Sequence, residues 1–177
     1  MENKITQIYQ QILSGQKSRF PSNTWSDISN AVFCTRYLID NVLKWTDDDI
    51  KLKLNKTVFV QYKLKGMLTT VYDDSPYRAF DAAFPGRLKE WELKSTPKNF
   101  WTEDKAIEAI HWLLEEKLND NDQLRVDTFE KYGLSGMFQT IFPHNLSEAL
   151  IAAYPDGLTR TAVIKRFQIH TRVKDKV

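Results

Sequence analysis

Cysteine is nearly missing from this chain: one residue, Cys34, stands among 177, so no disulfide can form within it. The three histidines, His111, His144 and His170, are far apart, and none has metal-like spacing to cysteine or carboxylate. Six glycines leave no phosphate-cradling loop, dinucleotide fingerprint or nucleophile elbow. No apolar run reaches the roughly 18 residues that span a bilayer. The opening MENKITQIYQQILSGQ lacks the apolar core of a signal peptide. These absences predict a cytoplasmic protein without membrane contact, catalytic residue, metal or cofactor, and not an enzyme. Neither charge sign dominates: 25 Lys and Arg against 23 Asp and Glu give +2, too mild to identify a partner.

What the chain has is aromatic and apolar content, 12% and 42%, enough to pack a core at this length. It also has a repeat. YKLKGMLTTVYDDSPYRAFDAAFP at 62–85 aligns without a gap on YGLSGMFQTIFPHNLSEALIAAYP at 132–155. Tyr62, Leu64, Gly66, Met67 and Thr70 find Tyr132, Leu134, Gly136, Met137 and Thr140; Ala79, Ala82, Ala83, Pro85 and Leu88 find Ala149, Ala152, Ala153, Pro155 and Leu158. The match continues upstream more weakly, Trp25-Ser26-Asp27 with Trp101-Thr102-Glu103 and residues 36–40 with 111–115, so the first copy has the longer middle. Repetition at this period marks supersecondary modules, and most shared positions read as core. Gly66 and Gly136 read as places of close helix approach or a backbone turn.

The expected class is all-α: an N-terminal helix (1–20), helical repeat 1 (21–88), a linker (89–100), helical repeat 2 (101–158) and a basic C-terminal helix and tail (159–177). Thr102 caps a helix running to about Leu118; a short helix ends at Gly133, and another spans Leu134 to Phe142. Ser75 before Pro76, and Asn145, cap the closing helices, which Pro85 and Pro155 stop. Asp47, Asp48 and Asp49 after Thr46 read as a helix N-terminus rather than a magnesium site. Only Thr57 to Tyr62 alternates as a strand would, and its repeat equivalent reads as helix. Trp91, flanked by charges, reads either as exposed or as an anchor of the linker against the second unit.

The succession WTEDKAIEAIHWLLEE, VDTFEKYGLSGMFQTIF and LSEALIAAYP resembles the repeat associated with homing endonucleases. That resemblance covers 101–158 and, more loosely, 25–88. It implies a compact helix-turn-helix-like DNA-binding unit, found in phages and mobile elements of Gram-positive bacteria. Residues 72–75 and 142–145 depart from the Gly-Ser-Trp-like turn usual there. Such a unit sets a helix N-terminus and polar face against base edges, with lysines and arginines on phosphates. Candidates in the first copy are Lys56, Lys63, Lys65 and Arg78. In the second, Gly133, Ser135 and Glu148 replace three of these, leaving Lys131, Gln139, His144 and Asn145. Arg160, Lys165 and Arg166 would flank one face of the last helix, before Arg172, Lys174 and Lys176. The expected function is a non-enzymatic regulator or accessory factor binding duplex DNA. The alternative is a phage-type protein-protein interaction module that inhibits or adapts a host protein; its oligomeric state is not legible.

Overall fold

The computed structural model describes residues 4–119 and 121–169. All regular structure among them is helical, with no strand. The chain divides into two compact units, Met1–Ser95 and Thr96–Val177.

In the first unit α1 (Lys4–Leu13) precedes α2 (Ile28–Arg36), which continues as a π-helical turn through Tyr37–Leu43. Four short helices follow: α3 (Asp47–Lys53), α4 (Lys56–Gln61), α5 (Lys65–Tyr72) and α6 (Pro76–Ala83). Their starts are written in side chains. Asp27 caps α2, Thr46 and Asp49 form a reciprocal capping box on α3, and Asn55 and Ser75 cap α4 and α6. Each turn of capping oxygen satisfies backbone N–H groups that helices this short could not otherwise spare. The interior forms around α2, which packs against α1, α5 and α6 and buries Cys34, Leu38 and Ile39 with Ile50, Phe59, Met67 and Phe80. Burial pushes the Cys34 thiol up to about 12, so it packs as a small apolar residue. Arg36 Nε donates to Ala83 O at 2.6 Å, covering a carbonyl that the end of α6 leaves unpaired.

Beyond α6 the chain does not leave this core. Leu88, Trp91 and Leu93 are buried, and the strap they form is tied to α3: Arg87 Nε to Asp47 at 2.8 Å, Lys51 to Glu92 at 3.0 Å, and Lys94 N to Lys51 O at 2.8 Å. Residues 89–95 are therefore part of the first unit rather than linker, and Trp91, 5% exposed, is neither a surface residue nor an anchor against the second unit but is buried within the first. The alternation at 57–62 is also overruled. That stretch is α4, because Asn55 caps it and Phe59 alone needs burial from its inner face.

The second unit has α7 (Glu103–Trp112) with its own π-helical extension Leu113–Lys117, then α8 (Val126–Lys131), α9 (Ser135–Thr140), α10 (Leu146–Ala153) and α11 (Gly157–Arg166). Helices α8, α9 and α10 start 70 residues after α4, α5 and α6, the offset of the sequence repeat. Buried positions correspond: Phe59 with Phe129, Leu64 with Leu134, Met67 with Met137, Leu68 with Phe138, and Ala79 with Ala149. Backbone details correspond too. Leu64 N donates to Phe59 O and Leu134 N to Phe129 O; Asp74 N donates to Leu68 O and His144 N to Phe138 O.

The units differ where α3 stands. Among the described residues between Leu118 and Leu124 the second unit has no helix, so a strap like that of 87–94 would have no anchor. The chain forms α11 instead, and Leu158, the repeat partner of buried Leu88, is 83% exposed. No helix of the described residues is long and apolar enough to cross a membrane.

Candidate nucleic-acid interface

In the first unit the candidate cations surround two turns. The first joins α4 to α5 by a Schellman close: Leu64 N reaches Phe59 O at 2.7 Å, Lys63 N reaches Val60 O at 3.2 Å, and Lys63 takes the left-handed position with φ +64°. Leu64 is wholly buried against the core, so Lys63 and Lys65 on either side of it are held at the surface. No side chain caps α5, whose first residue is Lys65. The opening turn of α5 thus leaves N–H groups without a side-chain cap, next in the chain to two exposed lysines. The exposed side of α4 carries Lys56, Thr57, Val60 and Gln61 next to this turn.

The second turn, between α5 and α6, holds counter-ions that the sequence reading missed. Asp74 Oδ2 pairs with Lys56 at 2.8 Å, its Oδ1 accepts from Thr69 Oγ1 at 2.7 Å, and Asp73 Oδ2 pairs with Arg78 at 2.5 Å. The hydrogen bond from the Lys56 ammonium, then that from Thr69, holds the Asp74 carboxyl below the usual range. Lys56 and Arg78 therefore bring their own acids to the surface, whereas no described acid lies at ion-pair distance from Lys63 or Lys65, although the charge of Lys65 also helps to lower Asp74. The signal was the Asp-Asp pair itself, placed by the Ser75-Pro76 helix start a few residues from both bases in space.

In the second unit the same places are poor in cations. The left-handed position is Gly133 (φ +80°), and α8 presents Asp127 and Glu130 outward beside Lys131, whose ammonium sits over the Tyr132 ring at 5.8 Å. Gln139 is exposed on α9, His144 takes the left-handed position of the next turn (φ +50°), and Asn145 is occupied as a cap, its Oδ1 accepting from Glu148 N at 3.1 Å. On α11, Lys165 and Arg166 stand five and six residues past Arg160, roughly 140° and 120° around the axis from it, so the three do not share one face. Arg166 lies over the Phe167 ring at 4.8 Å. His170, Arg172, Lys174 and Lys176 lie outside the described residues.

Another feature distinguishes the modules. Trp25 Nε1 would sit 3.8 Å from a Cβ built on Gly66, but Trp101 Nε1 only 2.5 Å from one on Gly136. The tryptophan ahead of each module's main helix thus packs on the glycine of the short fifth or ninth helix. Among the described residues no group of three or more His, Cys, Asp or Glu is arranged to hold a metal.

A family model described as a protein of unknown function (DUF4046) matches residues 5–89, which takes in α1 through α6 and the start of the strap. No curated protein and no solved structure matches the chain.

Proposed function

We propose that the protein is a non-enzymatic, cytoplasmic DNA-binding factor whose first unit carries the interface. Lys63 is the observation that carries this reading. A lysine stands in a left-handed helix-closing position where the other module has glycine, at a conformational disadvantage of about 1 kcal/mol. It stands exposed beside Lys65 and the uncapped start of α5, an arrangement suited to a phosphate. Thr57, Val60 and Gln61 on α4 then face the groove, and Lys56 and Arg78 exchange their aspartates for phosphates on contact. The likeness of the modules to homing-endonuclease-associated repeats, and the setting of phages and mobile elements it implies, supports the same reading.

A protein partner is the second reading, favoured in the second unit by Asp127 and Glu130 on the outward side of α8 beside exposed Ile151 and Leu158. Titration of a mixed-sequence duplex with the wild type, Lys63→Ala/Lys65→Ala, and Lys131→Ala separates the two units. The first substitution is expected to weaken binding at least tenfold, the second less than twofold. Equal losses from both would refute the assignment to the first unit.

A further inference from the structure

Helix α1 lies outside the repeat, and its exposed side is unlike that of the other described helices. Ile5, Tyr9 and Ile12 face the core, while Gln7, Gln10, Gln11 and Ser14 follow one another at three- and four-residue steps on the opposite side. A run of uncharged amides is not what solvent exposure selects in a chain with 27% charged residues. Residues 3–26 contain no Asp or Glu at all, and Lys4, Lys17 and Arg19, all exposed, bracket the stripe at its two ends. Together with Gln16 the stripe lines a cleft of about 430 Å³. Finally, α1 is fixed to the phosphate-binding turn: Tyr9 donates its hydroxyl hydrogen to Tyr62 O at 2.8 Å, the residue before Lys63.

The geometry points to α1 as a second DNA-contacting element that reads bases in the major groove, an inference that rests on the reading of the first unit as a duplex binder. A glutamine amide can accept from adenine N6 and donate to N7 together, which is the bidentate pairing that distinguishes adenine from the other bases. A ten-residue helix is about 15 Å long, comparable to the width of the major groove, so Lys4 at its first residue and Lys17 and Arg19 beyond its last are suited to the phosphates that border it. The complete lack of acids over this stretch is the charge complement that a phosphate-lined groove demands. Division of labour follows from the chemistry: Lys63 and Lys65 hold the backbone and supply affinity, while the glutamines supply sequence preference.

The test is selection of duplexes of about two helical turns with a randomised centre. It uses the full chain and its Gln7→Ala/Gln11→Ala variant, with titration of one fixed mixed-sequence duplex beside it. Gln7 is exposed and Gln11 half-buried on the side of α1 away from Ile5, Tyr9 and Ile12, and far-ultraviolet circular dichroism checks that each protein is folded. The wild type is expected to select adenines at fixed spacing. The variant should bind the mixed duplex within about twofold of wild type yet lose roughly tenfold in preference at each lost adenine. A variant that selects the same sequences as the wild type overturns the inference, as does a wild type that binds duplexes without selecting any; in both cases the role of Lys63 and Lys65 stands. A wild type that binds no duplex overturns both readings. In that case, a concentration-dependent dimer lost in the variant would assign the stripe to a second copy of the chain.

Discussion

Alanine at Gly66 and at Gly136 is the same substitution at equivalent places, and the two should act in opposite directions. Both glycines occupy the second position of a short helix, where a methyl group gains a fraction of the roughly 0.5–1 kcal/mol that separates glycine from alanine in helices. At Gly66 the new Cβ meets Trp25 Nε1 at 3.8 Å, ordinary contact, so Gly66→Ala should be neutral or stabilising by about 0.5 kcal/mol. At Gly136 it would meet Trp101 Nε1 at 2.5 Å and Cδ1 at 3.0 Å, and a rigid indole packed on Phe100 (rings 5.0 Å apart) has to move as a whole. Overpacking of this kind costs about 1–3 kcal/mol. The net expectation is a loss of about 1–2 kcal/mol, or roughly 4–15 °C in Tm for a unit of this size. Thermal unfolding followed by circular dichroism reads both variants. Trp101→Leu/Gly136→Ala should recover much of what Gly136→Ala adds to Trp101→Leu alone, because the clash requires both partners. Equal effects of the two alanines, or a Gly136→Ala protein as stable as wild type, would refute the packing argument.

Four further outcomes follow from the same structure. Lys63→Gly should leave stability unchanged or raise it by up to about 1 kcal/mol, since relief of the left-handed strain outweighs added chain entropy. It should still weaken DNA binding, which separates stability from function in one calorimetric and one binding titration. Leu88→Ala should cost about 2–4 kcal/mol in urea unfolding, whereas Leu158→Ala, at a position 83% exposed, should cost less than about 0.5 kcal/mol. Asp73→Asn/Asp74→Asn frees Arg78 and Lys56 while asparagine tolerates the left-handed backbone at both sites, so duplex affinity at low salt should rise. Asp49 and Asp74 have carboxyls lowered chiefly by Lys53 and Lys56 respectively. Their contribution is therefore present above the ordinary aspartate range and lost as pH falls below it through the lowered folded-state values, which urea midpoints measured from neutral to acid pH will read.

Much of this fold was legible because its signals are local. Thr46, Ser75, Thr102 and Asn145 announce helix starts by side-chain chemistry, and the repeat sets the register of three helices in each unit without any knowledge of tertiary contacts. What failed depends on distance in space. The strap containing Leu88, Trp91 and Leu93 has charges at 87, 89, 90, 92 and 94 and so reads as linker, yet two of them, Arg87 and Glu92, pair with Asp47 and Lys51 of α3 some 40 residues earlier. Alternation at 57–62 mimics a strand because a six-residue helix with one buried phenylalanine has too few turns to display its period. The pairing of Lys56 with Asp74 crosses two turns and is invisible in the chain order. The glutamine stripe of α1 was written at helical spacing in the first 14 residues; attention to charged residues alone passes over it.

The central claim is that Lys63 and Lys65 meet phosphates, and the salt dependence of duplex binding tests it most directly. Each phosphate neutralised adds about 0.9 to the slope of log K against log salt. Between about 50 and 200 mM salt, Lys63→Ala/Lys65→Ala should therefore lower the magnitude of that slope by nearly two relative to wild type. A slope unchanged by the double substitution, or no binding by the wild type at the lower salt, would contradict the account.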